Sequence, residues 1–316
     1  ETLTPASAIT LAGGTLDLGG ATITNNRSVT LTGGRLVNGT LSAPAFVKSG
    51  AGAATLAVAP ACVSDAALHD SYVRTLNPLL WYDPSDAATV TLDAAGRVTI
   101  LLNKGTKAGM DTSINYVNGG VALSAPLLAT GSLSYAASGL PMIKIDANNR
   151  GLASDDLVGI TGSAARTVVT VCTRDSESDG AIVSFGAAAN GQLFEIGDRQ
   201  NSTVGGCFGN GNDLAMDPKN PVGTPNVYTV SVTGPKNLVA WRTGVAPSNA
   251  TLTTTSTLDT GASRFFIGQR SGVPNRADFR GQIGEVLVFD RLLDENERVE
   301  LQRLLVKKWM SVPSGE

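Results

Sequence analysis

A chain of 316 residues can bury one large β domain with a smaller unit beside it. Its 36 glycines and only 16% charged residues describe turn-rich β structure rather than a helical or disordered chain. A formal net charge of -3, with Lys and Arg scattered singly, provides no basic stripe for a phosphate backbone, so no nucleic-acid partner is expected. No apolar run reaches the length of a membrane span and no signal peptide opens the chain. Membrane insertion is therefore not expected, and Glu1 reads as the start of a mature or excised, soluble product.

The first sixty residues carry an internal repeat: ITLAGG at Ile9 recurs as VTLTGG at Val29, about twenty residues on. Each copy reads as short alternating strands broken at Gly-Gly or Asn-Gly corners. Ile9, Leu11, Leu16 and Leu18 of one copy answer Val29, Leu31, Leu36 and Leu41 of the next, a pattern that stacks rungs into a parallel β-helix. The stretch NGTLSAPAFVKSGAGAATLAV, with its Lys-x-Gly-x-Gly-x-x-x-Leu run from Lys48 to Leu56, resembles the passenger-associated repeats of bacterial autotransporters and related surface proteins. A stack of three rungs leaves unpaired backbone at its ends. The row Ile9, Leu11, Val29 and Leu31 is therefore the candidate assembly surface toward other copies of the chain, unless the opening heptapeptide or the following domain caps it.

Residues 61–77 change in texture. Ser64 or Asp65 can cap a short linking helix whose apolar residues are Ala67, Leu68, Tyr72 and Leu76; His69 lies within it and is given no catalytic role, having no nucleophile or carboxylate pair in view. Three cysteines without CxxC spacing and one histidine are too few for a zinc site. Cys172 and Cys207 fall in separate predicted strands. They pair if those strands are neighbours, and otherwise all three thiols are buried as small apolar groups.

From residue 78 the chain takes on the pattern of a known family. LLWYDPSDAATVTLDAAGRVTILLNKGTKAGMD, with Trp81, Asp83, Ser85 and Asp86 in a Trp-x-Asp-x-Ser-Asp opening, resembles the start of concanavalin A-like, laminin-G-like jelly rolls of bacterial surface proteins. NVYTVSVTGPKNLVAWRTGVAPS resembles the hairpin of that family. RFFIGQRSGVPNRADFRGQIGEVLVFDRLLDENERVELQRLLVKKW resembles its ending. The fold expected is all-β: a β-helix-like repeat segment over 1–60, a linker with a short helix over 61–77, and over 78–316 a two-sheet jelly-roll sandwich closed by a C-terminal helix.

The residues of that ending account for the helix. GQIGEVLVFD alternates Ile283, Leu287 and Phe289 with Val286 and Val288, so both faces are apolar and the strand belongs inside the sandwich. Asp294 and Glu297 are spaced for a reciprocal cap, and Leu301, Leu304, Leu305 and Trp309 form one apolar stripe. The helix is expected to be a lid, and the resemblance implies that it packs close to Trp81.

The same architecture hosts β-glucanases with two glutamates on one strand, but this chain offers no such pair. Glu195 and Asp198 are an odd number of residues apart, and Glu285 is expected to sit on the Ile283 and Leu287 face, paired with Arg270 or Arg280. Without another catalytic motif the chain is expected not to be an enzyme. The resemblance implies recognition of a surface glycan or protein. With 3 Trp, 5 Tyr and 8 Phe, however, and Trp81, Trp241 and Trp309 all expected to pack, few aromatics remain for a sugar platform. Calcium is the one cofactor considered. Asn210, Asn212, Asp213 and Asp217 can form an oxygen cage or simply a tight turn, with Asp83, Asp86 and Asp93 a weaker set. Two functions follow: an extracellular recognition or adhesion module on a bacterial surface, or a self-assembling subunit of a fibre, sheath or virion surface joined through the N-terminal β segment.

Overall fold

The structure, a computed structural model, describes residues 2–3, 9–12, 15–17, 22–24, 29–42, 46–48, 54–61, 65–176, 180–199, 202–207, 221–243, 257–273 and 279–310. Two compact units divide the chain, Glu1–Leu76 and Asn77–Glu316.

In the first unit all the ladders are parallel. Ile9–Leu11 pairs with Val29–Leu31, which pairs with Phe46–Lys48. Thr15–Asp17 and Thr22–Thr24 both pair with the longer Gly34–Ser42 strand, which in turn pairs with Ala54–Ala61. The register reproduces the repeat where Ile9 lies beside Val29, Leu11 beside Leu31 and Leu16 beside Leu36, but it sets Leu41 beside Ile23 and not beside Leu18, because the second half of each copy pairs through Thr22–Thr24. Helix α1, Asp65–Leu76, ends the unit and buries Leu68, His69, Val73 and Leu76. The expected stripe is shifted, since Ala67 is exposed and Val73 takes its place.

The second unit is a two-sheet sandwich. One sheet has the order Leu127–Ala129, Met142–Ile145, Gly281–Phe289, Arg166–Arg174, Asn226–Gly234 and Asn237–Arg242, with Leu80–Tyr82 also paired to Gly281–Phe289. The other runs Val90–Leu92, Val98–Leu101, Thr112–Ser113, Leu152–Leu157, Arg264–Ile267, Gly180–Gly186, Leu193–Arg199 and Ser202–Cys207. The inner faces meet in one core that includes Tyr82, Ile143, Val168, Phe185, Phe194, Val230, Phe265 and Val288. Cys172 is buried in the first sheet and Cys207 ends the outermost strand of the second, so the two cysteine strands are not neighbours.

All nine residues of Gly281–Phe289 are buried, as a strand covered on both faces must be. Its alternation, however, is interrupted. Thr170 pairs with Val286 while Cys172 pairs with Ile283, so two residues, Gly284 and Glu285, oppose one on the partner strand. This bulge corrects the expected face assignment. Ile283 joins Val286 and Val288 in the core, and Leu287 lies outside that cluster.

Helix α2, Glu295–Met310, lies on the outer face of this sheet. Asp294 accepts from the Glu297 amide at 2.8 Å, and Glu297 accepts in return from the Asp294 amide at 2.9 Å, which is the reciprocal cap its spacing implied. Leu301, Leu304, Leu305 and Trp309 are all buried. A Cβ on Gly284 would come within 3.2 Å of the Trp309 ring, so the bulge glycine allows that indole to approach the sheet closely.

Candidate functional site

What holds the helix in place is a buried charge cluster. Lys308 Nζ donates to Asp83 Oδ2 at 2.7 Å and to Glu285 Oε2 at 2.9 Å. Trp81 Nε1 donates to Glu285 Oε1 at 2.6 Å and Trp309 Nε1 donates to Oε2 at 3.1 Å. Lys104 closes the cluster, 2.9 Å from Asp86, 3.5 Å from Asp83 and 4.1 Å above the Trp81 ring. Burial alone would lower the Lys308 pKa, but the charges of Glu285 and Asp83 outweigh it and raise the ammonium above the ordinary lysine value. Buried charges that are paired and hydrogen-bonded in this way fix geometry. This cluster sets where the helix lies and hence the shape of the surface beside it.

That surface is a cleft of about 780 Å³ between helix α2 and the ends of Asn226–Gly234 and Asn237–Arg242. Trp241, half-buried, lies along it. The Arg298 guanidinium stacks 4.5 Å from the Trp241 ring centre and donates to Gln302 Oε1 at 3.0 Å. Gln302 in turn donates to Thr229 Oγ1 at 3.0 Å, which ties the helix side of the cleft to the sheet. On the strand side Asn226 Nδ2 donates to the Thr224 carbonyl at 3.1 Å. Val299, Val306 and Met310 supply apolar lining, with Val299 47% exposed. An aromatic face, amide groups and guanidinium groups converge here on one concavity of the size that holds small ligands.

Several candidates from the sequence fall elsewhere. Glu195 is buried on the second sheet and accepts from Arg270 Nε at 2.6 Å and NH2 at 2.9 Å, a bidentate brace. The expected pairing of Glu285 with Arg270 or Arg280 is thus corrected: Arg270 belongs to Glu195, and Glu285 to Lys308 and two indoles. Of the weaker set, Asp83 and Asp86 both face the Lys104 ammonium in the charge cluster, with Asp86 also accepting from the Ala88 amide, whereas Asp93 accepts from the amides of Ala95 and Arg97. Asn210, Asn212, Asp213 and Asp217 lie outside the described residues, among which no cluster of metal-ligating groups occurs. Ile9, Leu11, Val29 and Leu31 stand in the parallel ladder already described. Trp241 is the residue that sequence reasoning missed. It was expected to pack, like Trp81 and Trp309, but it alternates with the core residues Leu238 and Ala240, faces away from the sandwich interior and is only half-buried because the helix stops short of covering it.

No family model and no curated protein matches the chain. Solved structures do. An arabinofuranosidase complexed with arabinofuranosyl-alpha-1,2-xylobiose superposes with a TM-score of 0.52 at 11% identity, over 76% of this chain and 61% of that one. Domain 4 of an extracellular arabinanase from Geobacillus stearothermophilus, in complex with arabinotriose, gives 0.48 at 14% identity, over 72% and 98%. A Trypanosoma rangeli sialidase gives 0.44 at 12%, over 76% of this chain and 34% of that chain. The likeness is one of fold. The chain therefore spans about a third of the sialidase and under two thirds of the arabinofuranosidase. The fold shared with that arabinofuranosidase overturns the expectation, drawn from missing motifs alone, that the chain is not an enzyme. The laminin-G-like resemblance reaches a β-sandwich fold. Among the described residues no helix is long and apolar enough to cross a membrane.

Proposed function

We propose that the Asn77–Glu316 unit is a glycan-recognition module of a secreted or surface-displayed protein, and that the cleft along Trp241 holds the sugar. The observation that carries this reading is the half-buried indole in a cleft with polar groups on both sides. The apolar face of a sugar ring stacks on an indole, while amide and guanidinium groups bond its hydroxyls. The arabinofuranosidase of the same fold is solved with an arabinofuranosyl xylobiose, and this directs the choice of first ligands.

Isothermal titration against a panel of arabino-, xylo- and gluco-oligosaccharides tests the proposal, with a reducing-end assay on the same panel to read any hydrolysis. Binding by the intact chain should fall by about tenfold or more in Trp241→Ala with the melting transition retained, in line with the loss of an aromatic contact of ~1.5 kcal/mol. Unchanged affinity in that variant would place the sugar elsewhere. An absence of binding to the whole panel would end the glycan reading.

A further inference from the structure

A face of Trp241 is already occupied in this structure. The Arg298 guanidinium lies 4.5 Å from the centre of the indole ring, inside the ~6 Å range of a cation–π contact. A sugar ring stacked there would need the same space. Arg298 also gives one N–H to Gln302 Oε1 at 3.0 Å, so its flat group satisfies an aromatic face and an amide acceptor at once.

The two halves of this socket are fixed. Trp241 stands on its strand directly opposite Thr229, and Thr229, fully buried, accepts from Gln302 Nε2 at 3.0 Å. The Gln302 amide is thereby oriented with its oxygen toward the cleft. Arg298 is held less firmly. Arg291 and Arg303, on either side of it in the chain, each bond both oxygens of a carboxylate, of Glu297 and Glu300 respectively, whereas the indole and the amide that hold Arg298 are neutral. Burial lowers the Arg298 pKa, and the charge of Glu295 acts in the opposite direction. Glu295 is exposed and precedes Arg298 by three residues on the helix, a spacing at which a carboxylate and a guanidinium meet. The guanidinium thus has a second place to go.

We propose that Arg298 is a displaceable stand-in for the ligand: the sugar takes its place on Trp241 and donates a hydroxyl to Gln302 Oε1, while the guanidinium turns toward Glu295. The inference rests on the glycan reading above and adds what the ligand must replace. It also defines the ligand chemically. The vacated Gln302 oxygen accepts and does not donate, so the group set against it is a hydroxyl beside the stacking C–H face, and a carboxylate or sulfate there would set oxygen against oxygen. A neutral sugar ring meets both requirements.

Titration of the intact chain with the arabino-, xylo- and gluco-oligosaccharide panel, in the wild type and in Arg298→Ala, tests this. Alanine keeps the helix, and loss of the competitor should tighten each sugar that depends on Trp241 by about two- to fivefold, the strength of an exposed cation–π contact. Adding Gln302→Met to Arg298→Ala should then weaken binding about fivefold, the worth of a neutral hydrogen bond. Glu295→Gln should weaken binding in the wild type and leave it level in Arg298→Ala, because it acts only through the arginine. A further readout needs no sugar. Of the three tryptophans, Trp81 and Trp309 are at most 1% exposed, so acrylamide quenching of the emission reports Trp241 and should rise in Arg298→Ala. Affinity that falls or stays level in Arg298→Ala, while Trp241→Ala still weakens binding, makes Arg298 part of the binding wall and overturns the inference with the glycan reading intact. Quenching that does not rise overturns it as well, since the indole is then not covered. If neither the wild type nor Arg298→Ala binds any sugar, the glycan reading falls and this inference with it.

Discussion

Glu285 shows how one residue can carry a fold. It is buried inside the sandwich unit, where one ammonium and two indoles converge on its two oxygens. Replacing it with Gln leaves Lys308 paired with Asp83 alone and removes a charge that offset its desolvation. Breaking a buried pair in this way costs about 3 to 5 kcal/mol. Urea unfolding at neutral pH should therefore show a large loss in Glu285→Gln, and a loss under about 1 kcal/mol would mean that the cluster is solvated. The alkaline limit follows from the direction of the Lys308 shift. A base whose pKa is raised on folding contributes fully below its unfolded value, and the contribution is lost as pH rises through the folded one. The stability advantage of the wild type over Lys308→Met should stay level up to about pH 10 and shrink only above it. A decline already near pH 8 would contradict the ion pairs described. The resemblance placed the helix close to Trp81, where the two indoles do meet on Glu285, but the bonds themselves were not legible in sequence. Trp81 and Glu285 are 204 residues apart, and Lys308 and Asp83 are 225 apart, so no local pattern couples them. What the sequence exposed was an acid amid apolar neighbours, and arginine was the wrong partner to assign to it.

At the scale of elements, legibility tracks locality. Helix α2 was readable because its cap spans three residues and its stripe repeats at a fixed period, and both are found where the spacing put them. The bulge at Gly284 and Glu285 was not readable. It arises from pairing with Thr170 and Cys172 on another strand, and it moved Ile283 to the face opposite the one that plain alternation assigns. The cleft was hidden for a related reason, since it is defined by where the helix ends its cover of the sheet rather than by any motif. The helix nevertheless has testable energetics. Trp309→Ala should cost about 3 to 5 kcal/mol, the cost of emptying a fully buried large side chain. Asp294→Ala should cost only about 1 kcal/mol, the worth of a cap. If the two lose similar amounts in thermal melts, the indole is not the anchor that its burial and its bond to Glu285 imply.

Across the whole molecule the two units differ in how they are held together. The Asn77–Glu316 sandwich closes a core between two sheets and covers one outer face with its own helix. The Glu1–Leu76 unit is a stack, and among the described residues the outermost strand of its Ile9 ladder, Ile9–Leu11, has a partner on one side only, Val29–Leu31. Such an edge offers backbone donors and acceptors in a row to any further strand. A second copy presents the same edge, and apolar burial between the copies would add about 25 cal/mol per Å². We therefore expect the chain to self-associate through this unit in a concentration-dependent way. Leu11→Asp should abolish association, because a charge in that row is costly to enclose, while the near-ultraviolet circular dichroism of the sandwich persists. Sedimentation velocity over a hundredfold range of concentration reads the first effect. A wild-type chain that stays monomeric throughout, with the Ile9–Leu11 amides as slow to exchange as those of Gly281–Phe289, would show that the edge is already covered within one copy.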